Sequence, residues 1–272
     1  MRIAFVGGGH ITTSLVGGLR ARGVPAADLA VADPVPAQLE RLQRDFGVRT
    51  ATDNATVVRE ADLVVLAVKP QDMAAAARGL AAELARRRRV VVSVAAGIRL
   101  ASLSGWLGSG VPVVRTMPNR PALIGAGITA ACAGPGVTSE ECAGVEQVLS
   151  AVGPLVWLDA ECQMDVVTAV SGSGPAYFFL LIEALEDAGA ELGLPRETAR
   201  RLAVHTAFGA GRMAAEGADP PAVLREQVTS KGGTTAAALA VLEDSGVRRT
   251  FAAAVAAAAR RSAELADQFG DR

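Results

Sequence analysis

An α/β part built on a doubly wound, mainly parallel sheet, followed by an all-helical part, is the fold class predicted for these 272 residues. Three observations predict it. Short apolar runs alternate with helix-period segments through the first half. Those runs are apolar along their whole length, as strands covered on both faces must be. Beyond about Glu161 strand-like runs cease and only helical patterns follow. The boundary is therefore expected between 160 and 161, with parts spanning 1–160 and 161–272.

The first strand is read in "RIAFV" and the first helix in "TSLVGGLRARG", where Leu15, Gly18, Leu19 and Arg22 recur at helical spacing. "DLAVAD" is the second strand. "PAQLERLQRDFG" follows as a helix with Leu39, Leu42 and Phe46 on one stripe and Gly47 as its stop. "ADLVVLAV" and "RVVVSVA" are buried strands, and "PVVRTMPN" and "AGITAACA" are two more. Between them the run Arg86 to Arg89 reads as a solvated helix end. Ser139 opens a helix over "SEECAGVEQVLSAVG" as its cap. In the second part "YFFLLIEALEDAGAELG", "PRETARRLAVHTAFGAGRMAAEG", "PPAVLREQV", "TTAAALAVLEDSG" and "VRRTFAAAVAAAARRSAELADQF" all read as helices. Pro195 and Pro220 stand where a first turn tolerates proline, and Gly193, Gly217 and Gly246 stand where runs end. In the last helix Phe251, Val255, Ala258, Ser262, Leu265 and Phe269 make a heptad-like stripe, suited to a core or to a second subunit.

Composition narrows the function. With 27 basic and 28 acidic side chains the formal net charge is −1, and no basic surplus speaks for nucleic acid or an anionic membrane. Aromatic residues make up 4%, too few for base-stacking platforms, so the core must be aliphatic. Cys132, Cys142 and Cys162 are widely spaced and odd in number. That fits no disulfide framework and, with two histidines, no metal site. The N-terminal "MRIAFV" is too short for a secretory or membrane-spanning run, and no such segment is recognised. A soluble cytoplasmic protein is the expectation.

Gly7 and Gly9 fall directly between the first strand and the first helix, the setting of the G-x-G-x-x-G/A dinucleotide fingerprint. The first glycine makes the tight turn and the second lets pyrophosphate approach the backbone. There the helix opened by His10, Ile11 and Thr12 favours an anion through its N–H groups and dipole. Thr12 takes the third position, normally glycine or alanine, and either loosens helix packing or donates its hydroxyl to phosphate. The expected job of the His10 ring is a local turn hydrogen bond. Asp33 ends the second strand, roughly 20 residues further on. A carboxylate there hydrogen-bonds a ribose 2′-OH and repels a 2′-phosphate. NAD(P)H is the expected coenzyme, with Asp33 leaning towards NADH.

A second cradle is legible in "VTSKGGTTAAALAVLED", Val228 to Asp244. It sets Ser230, Gly232, Gly233, Thr234 and Thr235 at a helix start. Small hydroxyls and glycines there hold an anion, or simply cap a turn between helices.

Six motifs in order, "GGGHITTSLVGGL", "LAVKP", "SVAAGI", "RTMPNRPALIGAGIT", "AVSGSGPAYFF" and "VTSKGGTTAAALAVLED", resemble the pyrroline-5-carboxylate reductase family over essentially the whole chain. The resemblance implies a Rossmann domain and a helical domain through which subunits interlock as dimers, often within larger assemblies. It implies hydride transfer from NAD(P)H to the cyclic imine of 1-pyrroline-5-carboxylate, giving L-proline. Ala67, Val68, Lys69 and Pro70 would line the nicotinamide ribose and ring, and Ala95, Ala96 and Gly97 would approach the nicotinamide from the next strand. Asn54 would lie near the adenosine, and Asn119 would belong to the coenzyme site. The substrate loop would be supplied across the dimer, with Ser230 and the backbone of Gly232 to Thr235 on the carboxylate. The hydroxyl of Thr235, the catalytic group, would stand near the ring nitrogen. Lys231 replaces the family's usual proline and would pair with that carboxylate or point to solvent. Arg120 replaces its usual threonine.

The residues suit an imine. Ketone reduction needs an acid, usually His, Lys or Tyr, to protonate the developing alkoxide. Here His10 lies in the nucleotide turn and His205 inside a helix. An imine nitrogen enters already protonated, so orienting its carbon suffices. Thr12, Lys231 and Arg120 leave room for another cyclic imino acid, such as piperideine carboxylate or pyrroline-2-carboxylate. A rival is an imine reductase or 3-hydroxyacid dehydrogenase-like enzyme, whose catalytic lysine is expected where Phe178 stands; the phenylalanine counts against it. A nucleotide-binding sensor that lost activity is the non-enzymatic alternative.

Overall fold

The computed structural model describes Met1 to Gly270, and its apolar runs join one eight-stranded sheet. The strands are β1 (Ile3–Val6), β2 (Leu29–Ala32), β3 (Arg49–Ala51), β4 (Leu63–Leu66), β5 (Val90–Ser93), β6 (Val113–Pro118), β7 (Thr129–Ala133) and β8 (Leu155–Trp157). Their spatial order is β3-β2-β1-β4-β5-β6-β7-β8. Among the described residues only β6 and β7 pair antiparallel. Every residue of β1, β2, β4 and β5 is buried, as two covered faces require. The three-residue strands β3 and β8 are partly exposed; β3 shows no apolar run, and that of β8, Leu155–Trp157, is too short to mark a strand by itself.

Helices α1 (His10–Ala21), α2 (Pro36–Phe46), α3 (Asn54–Val58), α4 (Pro70–Leu84), α5 (Leu100–Leu107) and α6 (Ser139–Leu149) accompany these strands. Successive strand residues point to opposite faces. Val6, Val64 and Leu66 therefore join Met73 and Leu80 of α4 and Leu103 of α5. Ile3, Phe5 and Val65 join Leu15 and Leu19 of α1, Leu42 of α2 and Val148 of α6. The cap of α6 is Thr138 rather than Ser139. Its hydroxyl accepts from the Glu141 N–H at 3.2 Å while the Glu141 carboxylate accepts from the Thr138 N–H at 2.8 Å.

The arginine run is not uniformly solvated. Arg89 is 4% exposed, and its guanidinium donates to the carbonyls of Glu83 at 2.7 Å, Arg59 at 3.0 Å and Ala61 at 3.2 Å. It adds a donor to carbonyls at the end of α4 and in the turn before β4, where helix geometry leaves carbonyl acceptors under-used.

The described chain divides into Met1–Gly172 together with 258–270, and Ser173–Ala257. The break thus follows Gly172, later than the expected 160/161. The first unit keeps α7 (Met164–Val167) and a π-helical turn, Thr168–Gly172. The last helix, α12 (Val247–Gly270), starts in the second unit and ends in the first. There Ser262 donates to Asp165 at 2.7 Å and Arg99 pairs with Asp267 at 2.7 Å.

The second unit holds α8 (Gly174–Glu191), α9 (Arg196–Glu216), α10 (Pro221–Gln227), α11 (Thr234–Asp244) and the start of α12. Along α8, Phe178, Phe179, Leu180, Leu181 and Leu185 are exposed. By length and composition alone the helical stretch Glu161–Glu191 is apolar enough to cross a membrane, contrary to the expectation that no such segment exists. Interspersed Ser, Gly and Pro hide that length in the sequence, because they read as turns.

Candidate functional site

Parallel pairing brings most of the expected coenzyme residues to one edge. Val6 registers with Ala32 and with Leu66, and Leu66 with Ser93. The segments that follow, from Gly7, Asp33, Ala67 and Ala95, therefore leave the sheet side by side. The strand order reverses between β1 and β4, the crevice where open α/β sheets receive ligands.

Gly7 closes the turn. Its N–H donates to the Ala32 carbonyl at 2.7 Å, its φ is +103°, and a Cβ there would lie 2.6 Å from the Ala67 oxygen. Conformation and space each demand glycine. Gly9 caps α1 with no side-chain hydrogen bond, and a Cβ on it would meet nothing within 4 Å. The amides opening α1 at His10, Ile11 and Thr12 are orphaned by helix geometry and open to an anion. A pyrophosphate fits this cradle.

Thr12 is fully buried, and its hydroxyl donates to the Gly7 carbonyl at 2.5 Å. The expected loosening or phosphate contact is replaced by a lock within the turn, leaving Thr12 only its amide for an anion. Ile11 packs into the core beside α1. His10 is exposed; the turn bond expected of its ring is absent among the described residues, and its carbonyl instead accepts from Ser14 Oγ at 2.9 Å.

Asp33 carries a task that its position in the sequence does not show. One carboxylate oxygen accepts from the Gly8 N–H at 2.7 Å and the other from the Val35 N–H at 2.8 Å. It ties the β2–α2 turn to the glycine turn and keeps lone pairs for a further donor. Beyond β3, Asn54 is the first residue of α3, capped by Asp53, which accepts from the Thr56 amide at 2.9 Å and hydroxyl at 2.8 Å. The Thr56 hydroxyl, then its amide, hold the Asp53 carboxyl below the usual carboxylate range.

On the other side of the switch point, the Ala67 N–H donates to Val6 at 2.8 Å, Val68 is half-buried, and exposed Lys69 caps α4 with Pro70 as its first residue. Of the next three, only Ala96 is exposed. Ala95 is buried, and Gly97, at φ +73°, packs beneath Phe269. Gly97 thus receives α12 on its open side, a role that required the tertiary structure. Asn119 spends its side-chain oxygen on the Ile128 N–H at 2.9 Å, bracing the β6–β7 connection, and Arg120 is exposed.

In the second unit Ser230 to Gly233 form a turn into α11, with the Gly233 N–H donating to the Ser230 carbonyl at 3.0 Å. Gly232 has φ +73°, which favours glycine. Gly233 caps α11 with no side-chain bond, so the amides of Thr234 and Thr235 are available at the helix start. The Ser230 hydroxyl stands over Gly233 and would collide with any side chain there. Lys231 is exposed, and Thr235 is half-buried. This turn can hold an anion without a basic side chain. Among the described residues no cluster of His, Cys, Asp and Glu could hold a metal ion.

Comparison with known proteins matches a family model described as pyrroline-5-carboxylate reductase dimerisation over residues 161–265, and one described as NADP oxidoreductase, coenzyme F420-dependent, over 2–97. A pyrroline-5-carboxylate reductase of Pseudomonas aeruginosa is 50% identical over 269 residues, covering 99% of this chain and 98% of the relative. That of Mycobacterium tuberculosis is 43% identical, covering 97% and 96%. Among solved structures, a pyrroline-5-carboxylate reductase from Coxiella burnetii superposes with TM-score 0.95 at 39% identity, covering 97% and 98%. One from Plasmodium falciparum with NADP bound superposes with TM-score 0.83 at 28% identity, covering 98% of each.

Proposed function

Because this chain belongs to the pyrroline-5-carboxylate reductase family, we propose that it reduces 1-pyrroline-5-carboxylate to L-proline with NAD(P)H. The single observation that carries this reading is the match to a reductase of that name over 99% of this chain and 98% of the relative. The glycine turn at the sheet's switch point supports it independently.

When bound, the reduced nicotinamide supplies the hydride that saturates the imine carbon. The residues of the chain do the rest. Gly9 and the amides of His10, Ile11 and Thr12 hold the pyrophosphate, Asn54 and Asp33 border the adenosine, and Ala67 to Pro70 with Ala96 border the nicotinamide. Asn119 steadies the neighbouring strand end. The substrate carboxylate rests on Ser230 and the amides from Gly232 to Thr235. Each hydrogen bond to a charged group contributes about 1.5–3 kcal/mol, and the helix start adds roughly 0.3–1 kcal/mol. A small carboxylate is held on those terms whether or not Lys231 joins. The imine nitrogen arrives protonated and donates to the Thr235 hydroxyl oxygen, which aims the ring carbon and needs no acid.

The exposed apolar face of α8 is read as a subunit contact rather than a membrane span, because the family model over 161–265 describes dimerisation. The chain then works as a homodimer or dimer-based assembly in the cytoplasm, each substrate loop serving the partner's coenzyme. The test is purified protein mixed with 1-pyrroline-5-carboxylate, following absorbance of NADH and NADPH. Consumption of either coenzyme with proline as product is expected. Consumption of neither overturns the reading, and piperideine carboxylate, pyrroline-2-carboxylate and 3-hydroxy acids then identify the class.

A further inference from the structure

We infer that this reductase selects NADH over NADPH, because the sheet edge that receives the adenosine end holds a fixed carboxylate and the turn after β2 leaves almost no free amide. The inference deepens the proposed function and rests on it only in that a dinucleotide binds this edge.

A 2′-phosphate carries about two negative charges. It needs cations or free N–H groups, and the start of the helix after β2 is the usual source. Here the supply is removed residue by residue. The Asp33 N–H donates to Ala51 at 3.3 Å. Pro34 has no N–H. The Val35 N–H donates to Asp33 itself at 2.8 Å. Pro36, the first residue of α2, has none either, and the Gln38 N–H turns back to Val35 at 3.1 Å. Ala37 alone keeps an unengaged amide in this segment.

Charge points the same way. Ala32 registers with Ala51, so the turns after β2 and β3 leave one edge together. Residues 33–38 and 51–58 contain Asp33 and Asp53 and neither lysine nor arginine. The nearest cation along α2, Arg41, donates from Nη2 to Thr13 Oγ1 at 2.9 Å, a hydroxyl that itself donates to the Gly9 carbonyl at 3.0 Å. Its Nε, though without a partner among the described residues, is buried away from the edge's surface. A ribose 2′-OH meets the opposite situation, since a carboxylate has about four lone-pair sites and Asp33 spends two.

Asp33 is thus both an acceptor for ribose and the positioning residue of the glycine turn, through Gly8. Removing it clears the like charge without providing a donor. Asp33→Ser should weaken NADH binding while strengthening NADPH binding by less than about threefold. Adding Pro34→Arg to that background should strengthen NADPH binding about tenfold or more.

The experiment is calorimetric titration of the full-length protein with NADH and NADPH in the absence of imine, paired with kcat/KM for both coenzymes. The expected NADPH Kd exceeds that for NADH by about tenfold or more, equivalent to 1.4 kcal/mol. A smaller ratio overturns the inference, as does a gain in NADPH affinity of tenfold from Asp33→Ser alone. Should Asp33→Ser not fold, Asp33→Asn, which keeps an acceptor for Gly8, is read against the same thresholds. Selective binding without turnover of 1-pyrroline-5-carboxylate would leave this inference standing and remove the proposed reaction instead.

Discussion

The carbonyl oxygen of Ala67 lies 2.6 Å from where a Cβ on residue 7 would stand, so the glycine turn and the end of β4 pack backbone on backbone. Gly9, two residues on, has nothing within 4 Å of the same position. The two glycines of one motif therefore sit in different surroundings, one packed on backbone and one open, the latter free for ligand on the proposed function.

Gly7→Ala should destabilise the protein by at least about 2 kcal/mol, from strain at positive φ and from the clash. Gly9→Ala should fold within about 1 kcal/mol of the parent yet bind coenzyme about tenfold more weakly. Thermal unfolding and coenzyme titration separate the two. Equal loss of stability in both variants contradicts this division.

Thr12→Val keeps the volume and removes the hydroxyl that the Gly7 carbonyl accepts from, a fully buried bond. A cost of about 1–3 kcal/mol is expected in denaturant unfolding, with coenzyme affinity little changed. Loss of affinity at unchanged stability would return the hydroxyl to the phosphate.

Thr235→Ala tests substrate placement. If that oxygen aims the imine, kcat/KM for the imine should fall about 100-fold while coenzyme affinity stays within about twofold. Gly232→Ala, at φ +73°, should raise the KM of the imine without affecting coenzyme binding, since only the substrate turn is strained. Unchanged kinetics in both would place the substrate elsewhere.

Phe178→Asp and Leu181→Asp put charge on the exposed apolar face of α8. Sedimentation should show dissociation towards monomers, accompanied by loss of imine reduction with coenzyme binding retained. An assembly of unaltered size would dismiss α8 as the subunit contact.

Much of the fold was legible because its signals are local. Strands such as "ADLVVLAV" announce burial on both faces by being apolar throughout, and Gly7, followed by helix-period residues, announces a turn only glycine can make. The turn before α11 was legible for the same reason, since Gly232, Gly233 and the threonines after them are adjacent in sequence. The short β3 lacked any such run, that of β8 was only three residues long, and the length of the helical stretch from Glu161 was masked by Pro175 and its neighbouring glycines.

By itself the sequence determined an alternating sheet domain, a helical second part and the two glycine turns that open α1 and α11, since each depends on residues within a few positions of one another. Only the tertiary structure decided that Thr12 locks Gly7, that Asp33 holds Gly8, that Arg89 is buried against carbonyls of two separate segments, and that Phe269 covers Gly97. Partners brought together by folding, and not by spacing, determine how a hydroxyl, carboxylate or guanidinium is used. Those pairings carry no local signature.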